Sequence, residues 1–186
     1  MYTKNGDSGT STTLRSKERL FKCDDLFEAL GSIDELNALL GLCKVKASTV
    51  SKHPIEIEKI IHVLQEQLFT IQAELAGANF ELDQSAIETC EKTIADIVDR
   101  VPPVTNFFIA GGGELAALLD YARTVCRRTE RVIIKAERKG DIGNCDTIKQ
   151  FLNRLSSVLY ALTRWVNHLN EISEAKPSYT NAKKNP

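Results

Sequence analysis

The sequence predicts an all-α protein, a single domain built as an up-and-down bundle of five amphipathic helices. Three observations carry that prediction. Apolar residues recur at three- and four-residue steps in five separate stretches, the connections between them are short, and no segment reads convincingly as a strand. With 186 residues the chain can bury one sizeable core and is short for two.

The first fifteen residues read as loop, since glycine, serine, threonine and asparagine dominate and Asn5-Gly6 is a strong turn signal. Residues Thr3 to Thr13 crowd hydroxyls, flexible amides and Lys4 into a span that can wrap a polyphosphate, with Asp7 or a hydroxyl in reach of a magnesium ion. The spacing is not that of the common P-loop, and taken alone a frayed terminus explains it better. The first helix starts after Asp24 and Asp25, either of which can cap it. It runs to about Ala47, with Leu26, Leu30, Ile33, Leu36 and Leu40 inward and Asp34 on the shoulder of the apolar stripe. The second follows Pro54, places Ile57, Ile60, Ile61, Leu64, Leu68, Ile71 and Leu75 on one face, and ends near Gly77. The third spans about Ser85 to Val101 through Ile87, Ile94, Ile97 and Val98, and Pro102-Pro103 stops it.

The run from Phe107 to Ile134 joins an aromatic loop, the glycine triplet 111–113 and a helix studded with cations. Glu114 sits where an acidic residue favours the positive end of a helix, so the fourth helix begins about there and closes at Gly140 and Gly143. Leu115, Leu118, Leu119, Ala122, Val125, Cys126 and Ile133 face a core. At about 100° per residue, Arg123, Arg127 and Glu130 form a strip flanking that face, while Arg128 points elsewhere. Arginine offers a planar fork suited to a carboxylate or phosphate. The plain alternative is a solvated face whose arginines pair with Glu130 and Glu137. The fifth helix runs from about Asp146 to Asn170 with Ile148, Phe151, Leu152, Leu155, Leu159, Leu162, Val166 and Leu169 inward. Asn153 lies within it, with the donor and acceptor needed to read an adenine edge or a ribose hydroxyl. From Lys176 to Pro186 there is no apolar periodicity. The boundaries are therefore an N-terminal loop at 1–24, a bundle at 25–170 and a tail open to disorder at 171–186.

A net charge of −1 gives no global attraction to nucleic acid or to an anionic membrane. No apolar run approaches the roughly 20 residues of a membrane span, and the N-terminus lacks a secretory apolar stretch, so a cytoplasmic or organelle-matrix protein is expected. The five cysteines are odd in number and free of any CxxC pair, which argues against a disulfide framework and structural zinc. The three histidines lack metal spacing, none following a glutamate by three residues as a dinuclear bundle site requires. His62 is placed to pair with Glu58 on the surface.

Four blocks then stand out together: YTKNGDSGTSTT, FEALGSIDELNALLG, FFIAGGGELAALLDYARTVCRRTER and FLNRLS. In this order they closely resemble the ATP:cob(I)alamin adenosyltransferases of the trimeric class, typified by propanediol-utilisation and mitochondrial enzymes. The resemblance implies a homotrimer of five-helix bundles of ferritin-like geometry, with each active site between two subunits. It implies an alkyl-type transferase that moves the 5′-deoxyadenosyl group of ATP, carried with Mg2+, to the cobalt of cob(I)alamin and releases triphosphate. By the same resemblance Thr3, Lys4, Asn5, Gly6, Ser11 and Thr12 wrap the polyphosphate, and Lys22 approaches the nucleotide. Arg127, Glu130, Arg131 and Asn153 match further ATP positions. Asp34 and Arg123 match a salt bridge across the subunit boundary, and Phe107 matches the aromatic beneath the corrin that excludes the axial base. Phe107 and Arg127 are thus the two residues expected to act most directly. No metal site of the protein's own is implied. A reductase and an enzyme that accepts adenosylcobalamin are the implied partners, in the cytoplasm or, where a targeting extension has been removed, in the mitochondrial matrix. A carrier that holds adenosylcobalamin without making it is the alternative.

Overall fold

A computed structural model describes residues 2, 4–14, 18–49 and 56–179. Thr3, His53 and Pro54 lie outside the described residues, as does the end of the tail at 180–186. Five helices account for most of the described residues: α1 (Asp25–Ser48), α2 (Ile57–Leu75), α3 (Ser85–Val98), α4 (Glu114–Lys139) and α5 (Asp146–Leu169). The N-terminal stretch, expected to be loop throughout, instead forms a small antiparallel ribbon. Strand β1 (Thr10–Ser11) pairs with β2 (Leu20–Phe21), Thr10 opposite Phe21 and Ser11 opposite Leu20. Two-residue strands leave no period to read, so nothing in the sequence distinguishes them from loop.

Helix directions follow from which ends meet. Lys46, near the end of α1, pairs with Glu114 at the start of α4, while Asp25 at the start of α1 binds Lys135 and Lys139 near the end of α4, at 2.9 and 2.5 Å. These two helices are therefore antiparallel. Glu137, late in α4, accepts the Lys149 ammonium at 2.6 Å and the Cys145 amide at 2.8 Å, while the amide of Gly113, just before α4, donates to Asn167 near the end of α5. So α5 runs back along α4. Leu26 and Leu75 line one cavity, which brings the end of α2 to the start of α1, and α3 runs alongside α5 through Arg154–Glu91 and Arg164–Pro102. The result is the expected up-and-down order, with α4 between α1 and α5 and with α3 on the far side of α5.

The core is the set of predicted stripes closed on one another. Ile33, Leu36, Leu40, Ile61, Leu68, Ile71, Leu119, Ile133, Phe151, Leu152, Leu155 and Leu159 are inaccessible to solvent, and each such side chain contributes roughly 1.5–3 kcal/mol by leaving water. Helix α3 ends at Val98 rather than Val101, and Val98 faces solvent; Asp99 and Arg100 close the helix before the prolines act. At the end of α4, Gly140 takes a left-handed conformation (φ 81°), and the amides of Gly140 and Asp141 bond back to Glu137 and Ala136, as a Schellman stop requires. His62 lies 3.9 Å from Glu66, one turn onward, and not beside Glu58. Cys43, Cys90, Cys126 and Cys145 are buried and free, and Cys23 is free and exposed. Burial pushes the Cys43 and Cys145 thiols up to about 11, the Cys90 thiol to about 12, and Cys126 higher still. Among the described residues no helix is long and apolar enough to cross a membrane.

Hydrogen bonds from Lys139, then Lys135, hold the Asp25 carboxyl below its ordinary value. A depressed carboxyl stabilises the fold fully above its unfolded pKa and loses that contribution as pH falls through its folded value. Asp25→Asn should therefore lower the melting temperature near neutral pH and flatten the stability loss below about pH 4, both read by thermal unfolding across an acid pH series.

Candidate active site

The predicted site residues fall into three groups, each placed by a different kind of structure. In the first, the ribbon holds the loop of residues 4–12. Lys4 adopts a left-handed conformation (φ 60°), and the Asp7 amide bonds back to its carbonyl at 3.2 Å. The Lys22 ammonium donates to the Gly6 carbonyl at 2.9 Å, and a Cβ on Gly6 would lie 2.7 Å from that nitrogen. Arg19, which the sequence reading passed over, donates from Nε to the Thr10 hydroxyl at 2.8 Å and from Nη2 to the carbonyls of Asn5 and Thr10. Ser11 sits in β1 and Thr12 is exposed just after it. Two cations thus gather the loop's carbonyls, leaving exposed hydroxyls and amides on a closed turn.

The second group is a polar chain across the middle of the bundle. Asn153 Nδ2 on α5 donates to Glu130 Oε1 on α4 at 3.3 Å, Arg154 Nη1 donates to Asn153 Oδ1 at 2.8 Å, and Arg154 Nε reaches Glu91 on α3 at 2.8 Å. Arg127 and Arg131 are exposed beside it, with Arg131 Nη1 on the Arg127 carbonyl. The plain pairing of these arginines with Glu130 and Glu137 does not occur. Glu130 is engaged by Asn153 and Glu137 by Lys149, which leaves the Arg127 guanidinium turned outward. Arg128, as expected, points elsewhere and binds Glu35.

The third group surrounds a cleft of about 810 Å³, lined by Val104, Thr105, Asn106, Phe107, Phe108, Arg123, Tyr160, Lys176, Pro177 and Tyr179. Phe107 is 79% exposed, the most exposed phenylalanine among the described residues. Arg123 is half-buried, its Nε 2.5 Å from Asp120 on the same helix. Asp34 is exposed on α1, and among the described residues no ion pair joins it to Arg123 within the chain. The loop of the first group adjoins Leu26, Leu75 and Gly140–Cys145 through Thr13 and Leu20. Arg127 lies 13 residues before Gly140, about 20 Å of helical rise. Among the described residues no three acidic, histidine or cysteine side chains come together to hold a metal.

The family model for cobalamin adenosyltransferases matches residues 1–166. The chain belongs to the cobalamin adenosyltransferase family. Among relatives, the corrinoid adenosyltransferase PduO of Citrobacter freundii is 36% identical over 175 residues, covering 90% of this chain and 50% of that protein. The human corrinoid adenosyltransferase MMAB is 33% identical, covering 89% of this chain and 68% of that protein. The chain thus spans about half the length of the PduO relatives and two thirds of the human one. A PduO-type ATP:corrinoid adenosyltransferase from Lactobacillus reuteri, a phenylalanine-to-alanine variant complexed with cobalamin and ATP, superposes with a TM-score of 0.84 at 31% identity. That match covers 95% of this chain and 98% of the other.

Several residues of this family member escaped the sequence reading because their partners lie far away in the chain. Asn167 is buried on α5 (2% exposed), accepts from the Gly113 amide at 3.2 Å and donates to the Gly111 carbonyl at 3.1 Å. Arg164, also buried, stacks 4.7 Å from the Phe108 ring centroid and pairs with Glu174 at 2.5 Å. Residues 171–179, which no periodicity would order, are held there; the Ile109 amide donates to the Ala175 carbonyl at 2.8 Å. The signal available was the polar pair Arg164 and Asn167 set beside Leu162, Trp165 and Val166 near the end of α5.

Gly111 and Gly112 both have φ above +100°, but only a Cβ at Gly112 would collide, at 2.2 Å, with Asn167 Oδ1. Gly112→Ala should destabilise by about 1–3 kcal/mol from backbone strain alone, and by more than Gly111→Ala because the buried amide must also move; urea midpoints of the two variants test the order.

Proposed function

We propose that the chain transfers the 5′-deoxyadenosyl group of ATP to the cobalt of cob(I)alamin and releases triphosphate, in sites completed between copies of a homotrimer. The observation that carries this reading is Phe107, an exposed aromatic ring lining a cleft of about 810 Å³. The family membership and the neighbour complexed with cobalamin and ATP support it.

The reaction needs little from side chains beyond placement. The cobalt electron pair attacks C5′, a Co–C bond forms, the C5′–O bond breaks with its electrons on oxygen, and triphosphate departs. No general base is required at that sp³ carbon. Phe107 would sit under the corrin where a nitrogen base otherwise binds; without that donor the cob(II)alamin precursor is easier to reduce. Lys4, Asn5, Gly6, Ser11, Thr12 and Lys22, with Thr3 beyond the described residues, would hold the triphosphate. Mg2+ would take its oxygen ligands from the triphosphate and the loop hydroxyls. Arg127 and Arg131 would balance the leaving charge, and Glu130 and Asn153 would orient the nucleoside. The outward-facing Arg127 and the distant loop favour a site in which one copy lends its loop and the next its strip. Asp34 of one copy pairing with Arg123 of the next fits that arrangement. Electrons for cob(I)alamin come from a reductase, and the product goes to an adenosylcobalamin-dependent enzyme.

With Mg-ATP and chemically reduced cob(I)alamin, adenosylcobalamin and triphosphate should form in equal amounts, followed by corrinoid absorbance and triphosphate assay. Binding of both substrates without product would select the carrier reading. Arg127→Ala should lower kcat by about 10²–10³-fold, as loss of a charge-stabilising donor does. Phe107→Ala should keep ATP affinity while losing the spectrum of base-free cob(II)alamin; a retained spectrum would remove Phe107 from the corrin face.

A further inference from the structure

The loop 104–113 and the segment 170–177 meet over the end of α5, and a single carboxylate joins them. Glu174 receives Asn167 Nδ2 on Oε1 at 3.3 Å and pairs through Oε2 with Arg164 Nε at 2.5 Å. Both helix residues already hold the loop. Asn167 binds Gly111 and Gly113 from either side of Gly112, while Arg164 lies against the Phe108 ring and donates from Nη2 to the Pro102 carbonyl at 3.3 Å.

Two features make this junction more than packing. First, the Arg164 side chain is 6% exposed and Glu174 14% exposed, and among the described residues Glu174 is the carboxylate paired with Arg164. A buried cation left without its carboxylate is strongly unfavourable, so the strap cannot leave without penalty. Among the described residues neither Nε nor Nη1 of Arg164 has a hydrogen-bond partner, so the Glu174 ion pair is what offsets their burial. Second, Phe107 has almost no packing of its own, so its position is inherited from its neighbours. Phe108 is fixed by Arg164, and the Ile109 amide by the carbonyl of Ala175, one residue after Glu174. On the other wall of the cleft, Lys176 and Pro177 follow directly.

We infer that Glu174 is a positioning residue for the corrinoid step: bridging Asn167 and Arg164, its carboxylate locks the C-terminal strap onto the aromatic loop and so sets the Phe107 ring and the opposite wall of the cleft. The inference rests on the reading of Phe107 given above. It assigns Glu174 no contact with substrate.

Glu174→Gln keeps the side chain's shape and removes its charge, and Glu174→Asp keeps the charge. In hydrogen exchange, Glu174→Gln should speed exchange at the Ile109 amide while amides in the middle of α4 and α5 stay protected. The same variant should lose most of the base-free cob(II)alamin spectrum. Its kcat/KM for cob(I)alamin should drop about tenfold or more, as displacement near a reacting centre does, with the KM for ATP within about twofold of wild type. Glu174→Asp should recover part of both readouts. If the effect runs through Phe107, adding Glu174→Gln to Phe107→Ala should cost little further, a non-additivity expected of coupled sites. Faster Ile109 exchange with a wild-type spectrum and kcat/KM would make the bridge merely structural and overturn the inference. Unchanged exchange, or an equal loss of ATP binding, would overturn it as well. If Phe107→Ala itself leaves the spectrum intact, the reading of Phe107 fails instead, while the exchange experiment still decides whether Glu174 couples strap to loop.

Discussion

From Ala161 to Asn167 every residue of α5 is buried, and a helix enclosed on all sides must be covered on all sides. Helices α4 and α3 take two flanks of it. Over its last two turns the cover is irregular backbone, the loop leading into α4 and the strap that follows α5. Irregular backbone brings unpaired amides and carbonyls, which have to be satisfied where water is excluded. Arg164 and Asn167 are the answer on the helix side, and they dictate where the loop can lie. The aromatic ring at the cleft is therefore located by the polar bookkeeping of a helix end several ångströms away.

The other half of the chemistry is mounted differently. Arg127, Glu130 and Asn153 stand on the two helices that share the largest interface in the molecule, so their spacing is as rigid as the core beneath them. The N-terminal loop has no such support and is closed by Arg19, Lys22 and a ribbon two residues deep. A leaving group that must be gripped and then released suits a holder of that kind, whereas charge stabilisation is best supplied by groups that do not move. The division between stiff strip and light loop matches the division of labour proposed for them.

The helices were legible because each depends on a period that survives in the sequence alone; α5 starts and stops within a residue of Asp146 and Asn170, and α2 stops two residues short of Gly77. Boundaries that depend on a local turn were less so, as at Val98, where the chain leaves the helix three residues before the apolar pattern runs out. The ribbon was invisible, since its pairing joins residues nine and eleven apart with no alternation to betray it. Arg127 and Asn153 could be singled out as candidates from type and helical position. Glu174 could not, because its meaning comes from Arg164 and Asn167, and a lone glutamate in a tail carries no mark of the cation it will meet. Arg123 and Asp34 show the opposite limit: the pairing proposed for them between copies would leave no trace in one chain, where Arg123 leans on Asp120.

The distribution of sulfur has a practical consequence. Four of the five thiols are sealed in the core and so weakly acidic that almost none is thiolate at neutral pH, which makes them poor nucleophiles. Cys23 alone meets solvent, next to Lys22 in the short turn between ribbon and first helix. The native chain thus carries a single addressable anchor for a fluorophore or spin label, beside the loop that Arg19 and Lys22 close, and needs no engineered cysteine to report on it.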